Sequence, residues 1–166
     1  MILSAKLTDV INWELKLLHN IEIKNLQGQL NLEEDQVNAV LINTLAFADT
    51  NTTDVLQLEL SPYEQNVLSK RKKQAKLEYC LSRFILKSLL SQWVNCEKKE
   101  IELRFDNEKS QLSAQYNGDR LPFNISVSHS KGMLITVISP SHIQIGVDIE
   151  FIDKKRDFYR LASNFF

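Results

Sequence analysis

The sequence predicts an α+β fold class, because a helical pattern and a set of strand patterns occupy separate parts of the chain. Helical sequence runs over residues 61–93. After residue 100, apolar and polar residues alternate with a period of two, which is typical of half-buried strands. The chain has 166 residues, enough for one core and too few for two ordinary domains.

The helical segment begins at a capping box. In Ser61-Pro62-Tyr63-Glu64, the Ser61 hydroxyl can accept the backbone N–H of Glu64, whose carboxylate reaches back to the backbone N–H of Ser61. Pro62 stands at the first helical position, where a backbone N–H would have no partner. Because residues 61–93 are long for one helix in a chain of this size, we predict a break near Ser69–Gln74.

Two faces separate in the second part of this segment. Apolar residues share one arc, which we interpret as core: Leu77, Leu81, Phe84 and Ile85. Basic residues form a stripe roughly opposite: Lys72, Lys76, Arg83 and Lys87. The stripe and the neighbouring run Lys70–Lys73 allow three interpretations, namely a solvated helix face, a nucleic-acid patch, or a surface for a phosphorylated cofactor. The first is the usual one, and no aromatic platform supports the second.

Four strands are predicted, at residues 101–105, 123–127, 133–138 and 143–149. The turns between them contain Asn117-Gly118, Lys131-Gly132 and Ser139-Pro140-Ser141. A strand is also suggested before Phe47, and residues 48–54 have the composition of a loop. A further helix starts at Arg156 and reaches Phe166 without a cap, so the sequence looks interrupted there.

The composition is that of a soluble globular protein. Hydrophobic residues make up 43% and charged residues 25%, and the net charge of -1 argues against a surface that coats nucleic acid or an acidic membrane. The sequence contains neither a run of apolar residues long enough for a membrane helix nor a signal peptide. Cys80 and Cys96 form neither a CxxC pair nor a disulfide framework. We therefore predict a cytoplasmic, reduced protein.

Two carboxylates occur on the last predicted strand. Alternation along residues 143–149 places Gly146, Asp148 and Glu150 on the face opposite the isoleucines and Val147. Carboxylates at i and i+2 can converge on one hard cation, and magnesium completes its shell with water and substrate phosphates. The ordinary interpretation of an isolated Asp-x-Glu is a solvated polar face.

The run Ser128-His129-Ser130 follows the predicted strand at 123–127. A histidine at a strand end, flanked by hydroxyl groups, can donate hydrogen bonds to a phosphate. The alternative is a histidine whose hydrogen bonds are satisfied within the hairpin. Neither motif is specific by itself.

Together, FNISVSHS and the later GVDIE resemble the 4′-phosphopantetheinyl transferase superfamily, in particular its Sfp-type enzymes. The residues that match its motifs are Phe123, Asn124, Ile125, Ser128, His129, Gly146, Asp148 and Glu150. The helix at residues 76–90 is similar to the long helix of that family, and Lys109 matches a lysine ahead of its Asn-Ile-Ser strand. The resemblance covers roughly residues 55–166. The next block of the family, Trp-x-x-Lys-Glu, is absent from the sequence.

The resemblance implies transfer of the 4′-phosphopantetheine arm of coenzyme A to a serine of an acyl- or peptidyl-carrier protein. It assigns Mg²⁺ to Asp148 and Glu150, a catalytic role to His129, and cofactor binding to Lys76, Lys109, Ser128 and His129. It also implies an α+β fold of two halves related by a pseudo-twofold axis. Residues 41–115 would form the first half, with the helical segment 61–93, and residues 120–166 would begin the second.

Other expectations concern the ends of the chain. Residues 1–40 give no clear signature and are treated as an amino-terminal extension. The missing block would supply a third carboxylate and a lysine, so we expect this chain alone to transfer weakly or not at all. We expect the apolar helix after Arg156 to drive self-association.

The alternative function is a non-catalytic module that binds the cofactor or a carrier protein. No membrane or nucleic-acid partner is expected.

Overall fold

A computed structural model describes residues 13–18, 36–48 and 52–151, which combine a mostly antiparallel sheet with a few helices. This arrangement agrees with the α+β class. The α-helices are α1 (Thr52–Leu56), α2 (Pro62–Ser69) and α3 (Lys73–Val94), and short 3-10 helices occur at Thr44–Phe47, Gln57–Glu59 and Lys98–Glu100. The strands are β1 (Trp13–Leu18), β2 (Val37–Asn43), β3 (Ile101–Asp106), β4 (Gln111–Tyr116), β5 (Asp119–Arg120), β6 (Phe123–Ser130) and β7 (Met133–Pro140). None of the helices in the described ranges has both the length and the apolar character needed to cross a bilayer.

Within these ranges the strands form one sheet in the order β1-β2-β7-β6-β4-β3, with β5 paired to β4. The β1–β2 pair is parallel, and the other pairs are antiparallel. Positive φ angles at Asn117-Gly118 and Lys131-Gly132 fit the tight turns predicted at these positions. Strand β2 is the strand suggested before Phe47, whereas β1 lies in the amino-terminal region that gave no clear signature. Strands from both predicted halves of the chain belong to this sheet.

The predicted capping box and helix break are both confirmed. The Ser61 hydroxyl accepts the backbone N–H of Glu64 at 3.3 Å, and the Glu64 carboxylate accepts the backbone N–H of Ser61 at 2.8 Å. Helix α2 ends at Ser69 and α3 begins at Lys73. At its other end α3 is followed by Asn95, whose left-handed conformation terminates the helix.

Each face of the sheet carries its own apolar cluster. On one face α3 packs against the strands, and the aromatic rings of Trp93 and Phe123 meet edge to face. This face carries the larger of the two clusters. On the other face, buried residues of β2 and β7 form a smaller cluster, which half-buried side chains of residues 143–149 cover. The segment 143–149 is therefore held by apolar contacts on the face opposite α3.

The prediction of a strand at residues 143–149 is wrong. The segment keeps the predicted alternation, with its isoleucines and Val147 half-buried and the intervening residues exposed, but it is not a strand of the sheet. Its backbone N–H groups at Val147 and Ile149 donate to the hydroxyls of Ser126 and Ser128 instead of to a neighbouring backbone. The segment thus lies across the face of β6 rather than at an edge.

Two smaller predictions need correction, and one lies outside the described residues. The predicted loop at 48–54 is interrupted by α1, which begins at Thr52. Strand β7 continues to Pro140, so the turn begins later than predicted. The predicted helix after Arg156 lies beyond the ranges that the structure describes.

The interpretation of Arg83 and Lys87 as part of an exposed basic stripe is also wrong. Lys87 is fully buried, and its ammonium nitrogen lies 2.6 Å from the carboxylate of Glu64 and donates to the backbone carbonyl of Glu59 at 2.8 Å. Arg83 is buried beside the same carboxylate. Burial lowers the pKa of Lys87, and the negative charge of Glu64 opposes that shift. These two cations connect α3 to the start of α2 through the carboxylate of Glu64.

Candidate functional site

Strand β6 carries the predicted Ser-His motif and presents different chemistry on its two faces. Phe123, Ile125 and Val127 point into the cluster beneath α3. Because side chains alternate along a strand, Ser126 and Ser128 point to the opposite face. There their hydroxyls meet the segment 143–149, so Ser128 of the first motif contacts the Asp-x-Glu motif on this face.

The contact between the two motifs is made by Ser128 and Asp148. The Ser128 hydroxyl donates to Asp148 Oδ1 at 2.9 Å and accepts the backbone N–H of Ile149 at 3.1 Å. The same Oδ1 atom accepts the Ile149 N–H at 3.0 Å. A hydroxyl that donates and accepts in this way fixes the carboxylate relative to the backbone. Asp148 is thereby held in place although it is exposed.

The donor set suits a hard divalent cation. Asp148 Oδ2 and the carboxylate of Glu150 receive no hydrogen bond or ion pair from the described residues, and both side chains are exposed. Magnesium is usually held by one or two carboxylates together with water and phosphate oxygens. No group of three or more His, Cys, Asp or Glu side chains that could hold a metal ion occurs in the described ranges. The two carboxylates therefore fit a cation that takes its remaining ligands from water and a substrate.

A polar groove of about 430 Å³ lies on the same face of the sheet. Its lining includes Lys109 and Gln111, Ser126 of β6, and Gln144 and Gly146 of the extended segment. A Cβ atom at Gly146 would meet nothing within 4 Å, so the groove is open at Gly146, two residues before Asp148. Lys109 is exposed, and its backbone N–H donates to Asp106 in the turn before β4. The groove therefore places a cation near the same segment that carries the two carboxylates.

His129 lies on the other face of β6, as its place next to Ser128 in a strand requires. Its Nδ1 atom is 3.1 Å from Glu78 Oε2 of α3, and its side chain is 54% exposed. Glu78 is buried, and its second oxygen, Oε1, accepts the side-chain N–H of Gln74 at 3.1 Å. The predicted residues are thus divided between the two faces, with His129 beneath the start of α3 and Ser128 beside Asp148.

Lys76 also belongs to the helix side. It lies in the first turns of α3 and is half-buried. The other members of the predicted stripe behave differently, since Lys72 is exposed ahead of the helix and Lys87 is buried against Glu64. Of the stripe residues within α3, Lys76 is therefore the one that is half-buried, whereas Arg83 and Lys87 are buried.

Sequence reasoning did not single out Glu78. A glutamate inside a helix usually faces solvent, and nothing in its neighbours distinguishes it. The only available signal is Gln74, four residues earlier, since side chains at this spacing meet on a helix. That signal is too common to have identified the contact with His129, which lies 51 residues further along the chain.

No protein-family model matches the chain, and the search of curated proteins finds no match either.

Proposed function

We propose that the chain is a 4′-phosphopantetheinyl transferase, which moves phosphopantetheine from coenzyme A to a serine of an acyl- or peptidyl-carrier protein with Mg²⁺. The products are the holo-carrier protein and adenosine 3′,5′-bisphosphate. The proposal includes a cytoplasmic location and the pseudo-twofold arrangement of residues 41–115 and 120–166. It rests on the resemblance of the Ser-His and Asp-x-Glu motifs to those of the Sfp-type enzymes.

The observation that carries the proposal is the hydrogen bond between Ser128 and Asp148. The two residues are 20 positions apart and belong to the two motifs on which the resemblance depends. A solvated polar face, the ordinary interpretation of Asp-x-Glu, has no need of a hydroxyl that orients one carboxylate oxygen. Partners that orient a metal-binding carboxylate are, by contrast, a regular feature of metal sites.

Each residue of the site would have its own role in the transfer. Bound to Asp148 and Glu150, Mg²⁺ would neutralise the pyrophosphate and stabilise the charge that develops on the leaving phosphate. Ser128 would keep Asp148 in its orientation, and Lys109 would attract phosphate oxygens into the groove. The serine proton would pass to a base, which the resemblance expects in the Trp-x-x-Lys-Glu block.

His129 and Lys76 would bind phosphate oxygens from the helix side. Because His129 and Ser128 point to opposite faces of β6, one cofactor reaches both only if it extends past the carboxyl end of that strand. Coenzyme A is a long molecule with phosphates at two separate positions. The proposal therefore assigns its pyrophosphate and its 3′-phosphate to different faces.

Coenzyme A is expected to bind more tightly in the presence of Mg²⁺, and Asp148→Ala is expected to weaken this Mg²⁺-dependent binding. The loss should be at least roughly 10–100-fold, since that is the range for removing a residue that only orients a metal ligand. Isothermal titration calorimetry with and without Mg²⁺ measures the effect. Asp119→Ala, which removes an exposed carboxylate from the first residue of β5, is the matched control and should leave the affinity unchanged.

Mass spectrometry of an apo-carrier protein distinguishes the two candidate functions. Transfer that requires Mg²⁺ and disappears in Asp148→Ala supports the enzyme, although we expect its rate in this chain to be low. Because transfer by this chain alone is expected to be weak or absent, the cofactor-binding module is supported only if the chain extended by a Trp-x-x-Lys-Glu block also binds coenzyme A without any transfer. Binding that ignores both Mg²⁺ and Asp148→Ala contradicts the assignment of the site.

A further inference from the structure

Outside the Ser128–Asp148 contact, three polar side chains form a row at the interface between α3 and β6, namely Gln74, Glu78 and His129. Gln74 donates to Glu78 Oε1 at 3.1 Å, and Glu78 Oε2 lies 3.1 Å from Nδ1 of His129. The side chain of Glu78 is 10% exposed and that of His129 is 54% exposed. A buried carboxylate is thus held between a helix neighbour and a histidine that reaches the surface.

This geometry determines which nitrogen of His129 carries a proton. A neutral imidazole has one N–H and one lone pair, and the hydrogen bond of one nitrogen fixes the state of the other. A carboxylate can only accept, so the proton lies on Nδ1 and the lone pair lies on Nε2. Because Gln74 engages the other oxygen of Glu78, the carboxylate cannot turn away from the histidine without losing that bond.

We propose that Glu78 is a positioning residue for His129. It holds Nδ1–H inward, so that Nε2 is the ring atom offered to a ligand. This inference rests on the proposed function, in which the ligand is a phosphate group of coenzyme A. A phosphate oxygen is an acceptor, so it binds Nε2 only when that atom also carries a proton. The carboxylate of Glu78 then keeps the Nδ1–H of the ring in place, as a carboxylate does behind a catalytic histidine.

The groups that face His129 are consistent with this role. From α3 the charged group in contact is Glu78. On β7 the residue paired with His129 is Leu134, which is buried and carries no charge. Lys131 lies two residues further along the chain in the exposed turn. A carboxylate, an imidazolium and a phosphate would then form a row with alternating charge.

Nitrogen-15 NMR of the histidine rings tests the positioning without any ligand. In the parent protein at a pH where His129 is neutral, Nδ1 should carry the proton. Glu78→Met removes the acceptor with little change in shape and should shift His129 toward the Nε2–H form. Glu78→Gln retains an acceptor oxygen and should restore Nδ1–H. His142, which is exposed and lies in the turn after β7, serves as the internal control and should not change.

Calorimetry with coenzyme A tests what the positioning does. We expect Glu78→Met to raise the dissociation constant roughly 10-fold, the size of one lost hydrogen bond to a charged group. Repeating the titration with 3′-dephospho-coenzyme A tells which phosphate His129 receives. An amide NMR spectrum that is unchanged away from α3 shows that Glu78→Met is folded. Gln74→Ala is a second variant with a smaller expected effect, because it removes only the hydrogen bond that Gln74 donates to Glu78.

The outcomes are distinguishable. A parent protein with the proton on Nε2, or a tautomer that Glu78→Met leaves unchanged, overturns the positioning role. An affinity for coenzyme A that is the same in the parent and in Glu78→Met overturns the positioning role as well. The contact between Glu78 and His129 would then only connect α3 to β6. If the parent binds no coenzyme A, the proposed function fails, and the proposed role toward a phosphate fails with it. The NMR result would still decide whether Glu78 fixes the ring.

Discussion

Glu64→Gln is expected to lower the free energy of unfolding by about 3–5 kcal/mol, because it leaves the buried ammonium of Lys87 without its counter-charge. The carboxylate is fully buried, lies 2.6 Å from that ammonium and also accepts the backbone N–H groups of Ser61 and Leu103. Glutamine keeps one acceptor oxygen and turns the other into a donor. Urea denaturation followed by circular dichroism measures the loss.

A second pair provides the matched control. Glu97 and Lys99 are also 2.6 Å apart, but both side chains are largely exposed. Glu97→Gln should leave the unfolding free energy unchanged within error, since exposed ion pairs contribute little. The double variant Glu64→Gln/Lys87→Met should recover part of the loss, because it removes the uncompensated charge. Equal effects of Glu64→Gln and Glu97→Gln would contradict the assignment of a buried ion pair.

The loss in Glu64→Gln should also depend on pH. Burial depresses the pKa of Lys87 below its value in the unfolded chain, and removal of Glu64 takes away the main opposing influence. Above the pKa that Lys87 has in the folded variant, its ammonium therefore loses a proton when the chain folds. The free energy of unfolding of Glu64→Gln should then rise with pH, up to the pKa that lysine has in the unfolded chain. A variant whose stability falls over this range would contradict the account.

Phe123→Ala is expected to destabilise the protein by about 3–5 kcal/mol, the usual cost of removing a buried aromatic ring. Phe123 begins β6, is 4% exposed and meets Trp93 of α3 with 5.0 Å between ring centroids and planes at 86°. Its removal leaves a cavity between the helix and the strand that carries the Ser-His motif. Chemical denaturation is again the measurement.

Phe105→Ala removes the same ring from β3, where the side chain is 48% exposed at the edge of the sheet. The expected change is about 1 kcal/mol or less, as for most surface substitutions. A loss from Phe105→Ala as large as that from Phe123→Ala would mean that the core is placed incorrectly. The comparison also tests whether the first residue of the FNIS run serves the fold.

The elements that follow from local chemistry were predictable. The capping box at Ser61 and Glu64 contains its own start signal, and the period-two pattern after residue 100 predicted β3, β6 and β7. Strand β4 and the two-residue β5 were not predicted. The segment 143–149 was misassigned because alternation records burial and not the hydrogen-bond partner. An extended chain that donates to the hydroxyls of Ser126 and Ser128 has the same pattern as a strand.

The partners of charged side chains were the least predictable part. Lys87 falls in a basic stripe by helical spacing, yet Glu64, which neutralises it, lies in another helix. The contact between His129 and Glu78 was equally unpredictable from the sequence, because it is made between a strand and a helix that are far apart in the chain. For the site, the sequence suggested Asp148, Glu150 and Ser128, and the structure brings Ser128 and Asp148 into contact. Sequence reasoning could not show that Ser128 and His129 point to opposite faces, because it treated the motif as ending the strand, whereas β6 continues to Ser130.

The position of the divalent ion tests the central claim most directly. Mn²⁺ can replace Mg²⁺ at oxygen sites and broadens the NMR signals of nearby nuclei, so amide spectra recorded with coenzyme A and low Mn²⁺ locate the ion. The account predicts broadening at Ser128 and over residues 147–150, with Phe105 at the far edge of the sheet unaffected and the effect abolished by Asp148→Ala. Broadening centred elsewhere, or broadening that persists in Asp148→Ala, would contradict a metal site built on Asp148 and Glu150.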